Sequence, residues 1–293
     1  MNIVRKFNIF TKELYYFLTE KFPSLIKAKI YQNGIYAYWG KYINFGDQLT
    51  PLLLRYYGLT PMHAHYKPSY GHQAELVCIG TLLNGTPKDF SGYIFGTGMD
   101  ELTKEFPNAV VLGVRGKLTQ KNLGLENSSL VLGDPGLLVS YIFPEKLKKE
   151  WVLGIIPHFF DKNEKVIESW KNKFNTNVKF IDVQRSPEVV ISEIKKCQYI
   201  ISSSLHGLIT ADAFDIPNAM FAIRTNKTRD DYKYLDYYST LGIEMFVIEA
   251  TGDETLEYII SKTSSKGNLV EEMKQNLNRE FLKFSNLYKK KKK

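Results

Sequence analysis

The stretch QYIISSSLHGLITADAFDIPNAMFAI, residues 198–223, decides how the chain is to be read. An apolar run, QYII, leads into three serines, a histidine and a glycine. A short apolar segment, LHGLITADAF, and a second apolar run, NAMFAI, follow. Strand, helix, strand is the repeating unit of a parallel α/β sheet. In such a sheet the turn from strand into helix lies at the carboxyl edge, where ligands bind, and the helix presents free backbone N–H groups there. Ser202, Ser203 and Ser204 therefore fall where an anion can be held, and His206 puts beside them a group that exchanges protons near neutral pH. Gly207 is expected to leave room for a ligand. A capping serine and a surface histidine fit the same residues.

The same alternation extends in both directions. Upstream, WVLGIIPH, NVKFIDV and QYIIS read as strands, separated by helical segments at 161–174 and 186–197; Ser186 and Pro187 open the second, with Val190, Ile191 and Ile194 facing inward. Between Ile35 and Tyr141 the runs IYAYW, AELVCIG, GYIFGTG, NAVVLGV and SSLVLGDPG each close on glycine or a turn. Glycine at that position suggests that something approaches the backbone closely. Helices are expected in TPLLLRYYG, capped by Thr50 with Pro51 in its first turn, and in GKLTQKNLG. The polar segment PEKLKKE, residues 144–150, separates the two series. The sequence thus predicts an α/β protein of two Rossmann-like domains with a central cleft, divided as 1–148 and 149–265. Residues 266–293 form an amphipathic helix with Leu269, Met273, Leu277, Phe281, Phe284 and Tyr288 on its apolar side. A further surface helix is expected near residues 11–22, ended by Pro23.

Composition bounds the function. The chain has 293 residues, of which 44% are hydrophobic, enough for two cores. Its formal charge of +8 includes the five lysines Lys289–Lys293, which leaves +3 elsewhere and argues against a nucleic-acid-binding body. The lysine run reads as a solvated end, with peripheral contact to an anionic membrane surface as the second reading. Cys78 and Cys197 lie in apolar runs and read as reduced core residues of a cytoplasmic protein. The N-terminal residues lack the apolar run of a signal peptide or membrane span. His63, His65 and His72 look like a metal cluster at first sight, but they lack cysteines and dense carboxylates and read as loop residues.

The block ISSSLHGLITADAFDIPNAMF resembles the polysaccharide pyruvyl transferase family. The resemblance extends to Asn44, Gly46 and Asp47 in NFGDQLTPLLL, Arg115 in GVRGKLTQKNLG, LGDPGLL at 132–138 and GIIPHFFDK at 154–162, which occur in the family's order. It implies a GT-B-like pair of domains and transfer of the enolpyruvyl carbons of phosphoenolpyruvate to a sugar as a cyclic ketal. The acceptor would be a surface polysaccharide or a lipid-linked precursor, handled in the cytoplasm or at the inner face of the membrane, with no metal or redox cofactor. His206 would be the general acid and Asp47 a base or hydroxyl ligand. Arg115, Arg224, the three serines, Gly207 and His158 would bind substrate, together with Asn44 and Gly46. Lys162, beside His158, is a weaker candidate, and Asp134 in GDP reads first as a turn or cap and second as a cleft residue. Many members carry arginine where this chain has Ser204, so Arg115 or Arg224 would have to supply that charge. Two other readings stay open. One is a GT-B glycosyltransferase using a nucleotide sugar, although no carboxylate after Phe214 is obviously placed for its ribose. The other is a non-catalytic sugar-binding relative.

Overall fold

A computed structural model describes residues 17–40, 44–66, 73–100, 102–223 and 231–292. Two parallel sheets carry the architecture. The first contains β1 (Gly34–Tyr38), β2 (Thr60–His63), β3 (Leu76–Val77), β4 (Tyr93–Phe95), β5 (Val110–Val114) and β6 (Val131–Leu132), in the order β2-β1-β3-β4-β5-β6. The second contains β7 (Trp151–Ile156), β8 (Val178–Phe180), β9 (Cys197–Ser202), β10 (Asn218–Ala222) and β11 (Val247–Glu249), in the order β8-β7-β9-β10-β11. Both orders begin second, first, third. The direction of winding therefore reverses between the first and third strands, and this is where open α/β sheets leave a crevice at their carboxyl ends. In the first sheet the crevice lies between β1 and β3, and in the second between β7 and β9.

The helices follow the sequence with informative exceptions. They are α1 (Phe22–Tyr31), α2 (Leu49–Tyr56), α3 (Lys117–Asn122), α4 (Val139–Ile142), α5 (Lys165–Lys173), α6 (Pro187–Lys195), α7 (Leu205–Ala213), α8 (Tyr232–Leu241), α9 (Leu256–Ser261) and α10 (Gly267–Lys292). Of the helix expected near residues 11–22, residues 11–16 lie outside the described residues; Phe17–Lys21 is a π-helical turn that runs directly into α1, and Pro23 sits in the first turn of α1, where its missing N–H costs nothing. Helix α2 likewise begins before Thr50, which follows a 3₁₀ turn at Gly46–Gln48 and uses its hydroxyl to accept the Ile79 N–H at 3.4 Å rather than to cap. Strand β2 contains Pro61 and pairs only with β1, so it is an edge strand, where proline is tolerated.

The C-terminal helix α10 returns to the first sheet. Phe281 stacks on Tyr57 at 4.5 Å and meets Phe95 at 5.1 Å. Its buried side is Val270, Met273, Leu277, Phe281, Phe284 and Tyr288; Leu269, expected among them, is exposed and Val270 takes its place. One apolar cluster runs from Ile35, Leu76 and Phe95 of the first sheet through α2 and α10 to Ile156, Ile200 and Met220 of the second. Cys78 and Cys197 are both buried and unpaired, and burial pushes the Cys197 thiol up to about 12.

Candidate active site

The segments singled out by the sequence meet where the carboxyl ends of the two sheets face each other. After β1, Asn44 and Asp47 bond reciprocally: Asn44 Nδ2 donates to Asp47 Oδ2 at 2.8 Å and Asp47 N donates to Asn44 Oδ1 at 3.2 Å. Phe45 between them is fully buried, and its N–H donates to Val183 O of the second half at 2.7 Å. The loop is therefore pinned to both halves. Gly46 lies flat against His206: a Cβ on it would sit 2.2 Å from the imidazole Nδ1, so only glycine fits. Gly40, which follows β1, makes room for the Asp47 side chain in the same way, a Cβ there lying 2.9 Å from its carboxylate, whereas Gly80 after β3 is required by its φ of +112°. The close approach that the strand-end glycines suggested is thus made, at Gly40 and Gly46, by the protein's own side chains.

His206 enters from the first turn of α7 and is 8% exposed. Its Nε2 faces Asp134 Oδ2 at 3.7 Å, and both atoms are buried without a hydrogen-bond partner. That separation is beyond a hydrogen bond. Asp134 plays two parts, because its Oδ1 accepts the Gly136 N–H at 2.8 Å and caps the 3₁₀ turn Pro135–Leu138 while Oδ2 is left aimed at the imidazole. Burial raises the Asp47 carboxyl above its ordinary value, and the charges of His206 and Lys233 oppose that rise.

The serines divide their roles. Ser202 Oγ lies 3.1 Å from Ile156 O and 2.8 Å from Ser204 O, shares its one proton between them, and accepts the Ser204 N–H at 2.9 Å. Ser203 Oγ donates to Asp161 at 2.6 Å and accepts the His158 N–H at 2.8 Å, while Ser203 O accepts the Tyr234 hydroxyl at 2.7 Å. These two hydroxyls lock β7 to β9 and fix the turn that carries His158. Ser204 precedes α7 without a side-chain capping bond; the Gly207 N–H donates to Ser204 O at 3.0 Å and the Ser204 N–H to Ser202 Oγ, so the N–H groups that the helix start itself leaves over are those of Leu205 and His206. The space expected beside Gly207 is filled, since a Cβ there would lie 2.3 Å from Ser202 Oγ. What results is a cluster of a general acid–base candidate, two carboxylates from the first half and a helix N-terminus, at the carboxyl ends of the strands.

The model of the polysaccharide pyruvyl transferase family matches residues 16–225, well over half of the chain. The chain belongs to that family. The succinoglycan biosynthesis protein ExoV of Rhizobium meliloti (strain 1021) is 29% identical to this family member over 219 residues, covering 70% of the chain and 64% of ExoV. The uncharacterized protein L143 of Acanthamoeba polyphaga mimivirus is 34% identical over 179 residues, covering 57% of the chain and 60% of L143. The matches thus span less than two thirds of these relatives' own lengths.

For a polysaccharide pyruvyl transferase family member, the placement of positive charge is the departure from expectation. Arg115 is fully buried: its Nε donates to Asp236 of α8 at 2.9 Å, Nη1 donates to Thr81 Oγ1 at 2.8 Å, and Gly98 packs on the guanidinium face. Asp236 also receives the Thr119 N–H and hydroxyl. This charge is already balanced inside the protein, and the geometry makes Arg115 a brace between the halves rather than an open anion ligand. Arg224 lies outside the described residues, as does His72. Lys162 is near Asp182 at 3.8 Å and bonds to Gln184. The cation that the sequence reading passed over is Lys233, in the first turn of α8, whose charge acts on Asp47. His63, expected to be a loop residue, belongs to β2, and its Nε2 lies 3.0 Å from Trp39 O.

Proposed function

We propose that the protein transfers the pyruvyl unit of phosphoenolpyruvate to two hydroxyls of a sugar, in a surface polysaccharide or its lipid-linked precursor, as a cyclic ketal. The observation that carries this reading is the convergence of Gly46, Asp47 and Asp134 from the first half on His206 from the second, at the joined crevices. In the proposed arrangement, which is GT-B-like, the donor lies on the second half against the N-terminus of α7 and the acceptor lies on the first. The reaction takes place on the cytoplasmic side of the membrane.

Protonated His206 gives its proton to the donor's methylene carbon, which becomes a methyl group, and the adjacent carbon takes on oxocarbenium character. A sugar hydroxyl adds there and loses its proton to Asp47, whose raised affinity for a proton suits it to that task. The bond from that carbon to the phosphate oxygen then breaks, and the second hydroxyl closes the ring. Of the two hydroxyl protons, one leaves with phosphate and the other restores the acid. Asp134, 3.7 Å from the imidazole, steadies its charge. The donor's phosphate and carboxylate meet the N–H groups of Leu205 and His206 at the start of α7, with Lys233 as the nearby cation.

The test is thermal stability and phosphate release with phosphoenolpyruvate, for wild type and His206→Ala, with nucleotide sugars as competing ligands. Stabilisation by phosphoenolpyruvate in both proteins, with release confined to wild type, is the expected result. Stabilisation by a nucleotide sugar alone would move the assignment to glycosyl transfer.

A further inference from the structure

Helix α1 has no buried residue. It touches β1 and β2 through the side that carries Ala28, against which Gly34 packs. Facing outward are Phe22, Ile26 and Ile30, spaced four residues apart and therefore on one face, with 50%, 44% and 67% of their surfaces exposed, and Leu18 in the π-helical turn just before α1 is 58% exposed. Lys21, Lys27 and Lys29 flank this stripe, and Phe22–Tyr31 contains no acidic residue.

The far end of the chain arrives at the same place. The Tyr288 hydroxyl near the end of α10 donates its proton to Glu75 Oε2 at 2.7 Å and lies 3.3 Å from the carbonyl oxygen of Gly34, three residues after α1 ends. Lys289–Lys292 continue that helix over roughly 6 Å. Lys289 reaches Tyr57 O, Lys291 the Tyr93 hydroxyl and Lys292 Glu75, while Lys290 stays exposed. An apolar stripe and a lysine cluster, more than 250 residues apart in sequence, thus share one edge of the molecule.

We infer that this edge is a docking surface for an anionic lipid bilayer, with the α1 stripe entering the headgroup boundary and the lysines of α1 and α10 binding lipid phosphates and carboxylates. Charge selects this occupant over the others. A second copy would bring the same lysines against themselves. Residues 1–16 carry three basic side chains and one acidic, so they do not complement the patch. No helix among the described residues is long and apolar enough to cross a membrane, so the attachment is peripheral and reversible. The inference stands apart from the chemistry at His206.

The test is sedimentation of the full chain with vesicles of phosphatidylcholine alone and with about one third phosphatidylserine, at low and high salt. Three proteins are compared: wild type, Phe22→Ser/Ile26→Ser/Ile30→Ser, and Lys289–Lys292→Gln. Wild type should partition into the serine-lipid vesicles at least tenfold more strongly than into phosphatidylcholine, lose that advantage in high salt, and lose at least about tenfold in either variant. Unchanged melting curves establish that the variants fold, and Ile30→Ser alone serves if the triple variant does not. Equal partition into both vesicle types, no partition at all, or undiminished binding of the serine variants would overturn the inference. So would a wild-type dimer that the serine substitutions convert to monomer while vesicle binding stays absent.

Discussion

His206 is enclosed by groups from two other stretches of chain, the Gly46–Asp47 loop and Asp134, and each residue makes a different prediction. Replacing it with alanine or glutamine should lower kcat by about 10²- to 10⁴-fold, the usual worth of a positioned acid, while phosphoenolpyruvate still raises the melting temperature. Asp134→Asn keeps an oxygen for the Gly136 N–H but removes the charge facing the imidazole. Steady-state kinetics should show kcat reduced and KM for the donor little changed, whereas a purely structural role would appear as lost stability alone. Gly46→Ala drives a methyl group into the ring and should cost about 1–3 kcal/mol of stability together with most of the activity. Asp47 gives a pH signature. Its carboxyl binds a proton more tightly in the folded protein than in the unfolded chain, so stability falls as pH rises from the ordinary carboxylate value through the folded one, and stays lower above it. Asp47→Asn should therefore melt higher than wild type at neutral pH and lose that advantage in acid, while its activity falls. The sequence placed His206 because a strand running into a helix fixes where that turn must lie, while Asn44, Gly46 and Asp47 joined it only through the resemblance to the family's motifs. It could not assign Ser202 and Ser203 to backbone ties, because a hydroxyl's partner is set by atoms far away in the chain.

Elements joined across the crevice account for most of what the sequence concealed. Helix α8 went unread although Tyr234, Tyr237, Tyr238 and Leu241 are buried at three- and four-residue spacing; tyrosines at that spacing are a usable apolar face. Without α8, Asp236 had no place, and Arg115 looked available for a ligand. The buried pair explains both residues. Arg115→Met leaves an unpaired charge on Asp236 and should cost about 3–5 kcal/mol in denaturant unfolding, whereas Arg115→Met with Asp236→Leu should recover much of it. An arginine that acted only on substrate would instead lower donor affinity at unchanged stability. Strand β2 was hidden by Pro61 and His63, since only an edge position makes that composition acceptable. Glycines, by contrast, marked the ends of β4 and β6, which Gly96 and Gly133 follow directly, although Gly113 lies inside β5.

At the scale of the molecule, the sequence resolved two α/β series and a terminal helix, yet it treated the helix as an appendage of one of them. In fact α10 buries seven side chains, all but Ser285 largely apolar, at about 1.5–3 kcal/mol for each large one fully buried. Deleting residues 267–293 should leave the remainder insoluble, while deleting 289–293 alone should leave the fold intact. The deeper consequence lies in the apolar cluster that runs unbroken from one sheet to the other. Two sheets that share a core cannot swing apart about a hinge without exposing it, and neither can melt while the other stays intact. Scanning calorimetry should show one transition whose van't Hoff and calorimetric enthalpies agree, despite the size of the chain. Donor binding should therefore proceed without the two sheets closing on each other, and solution scattering with and without the donor should return the same radius of gyration.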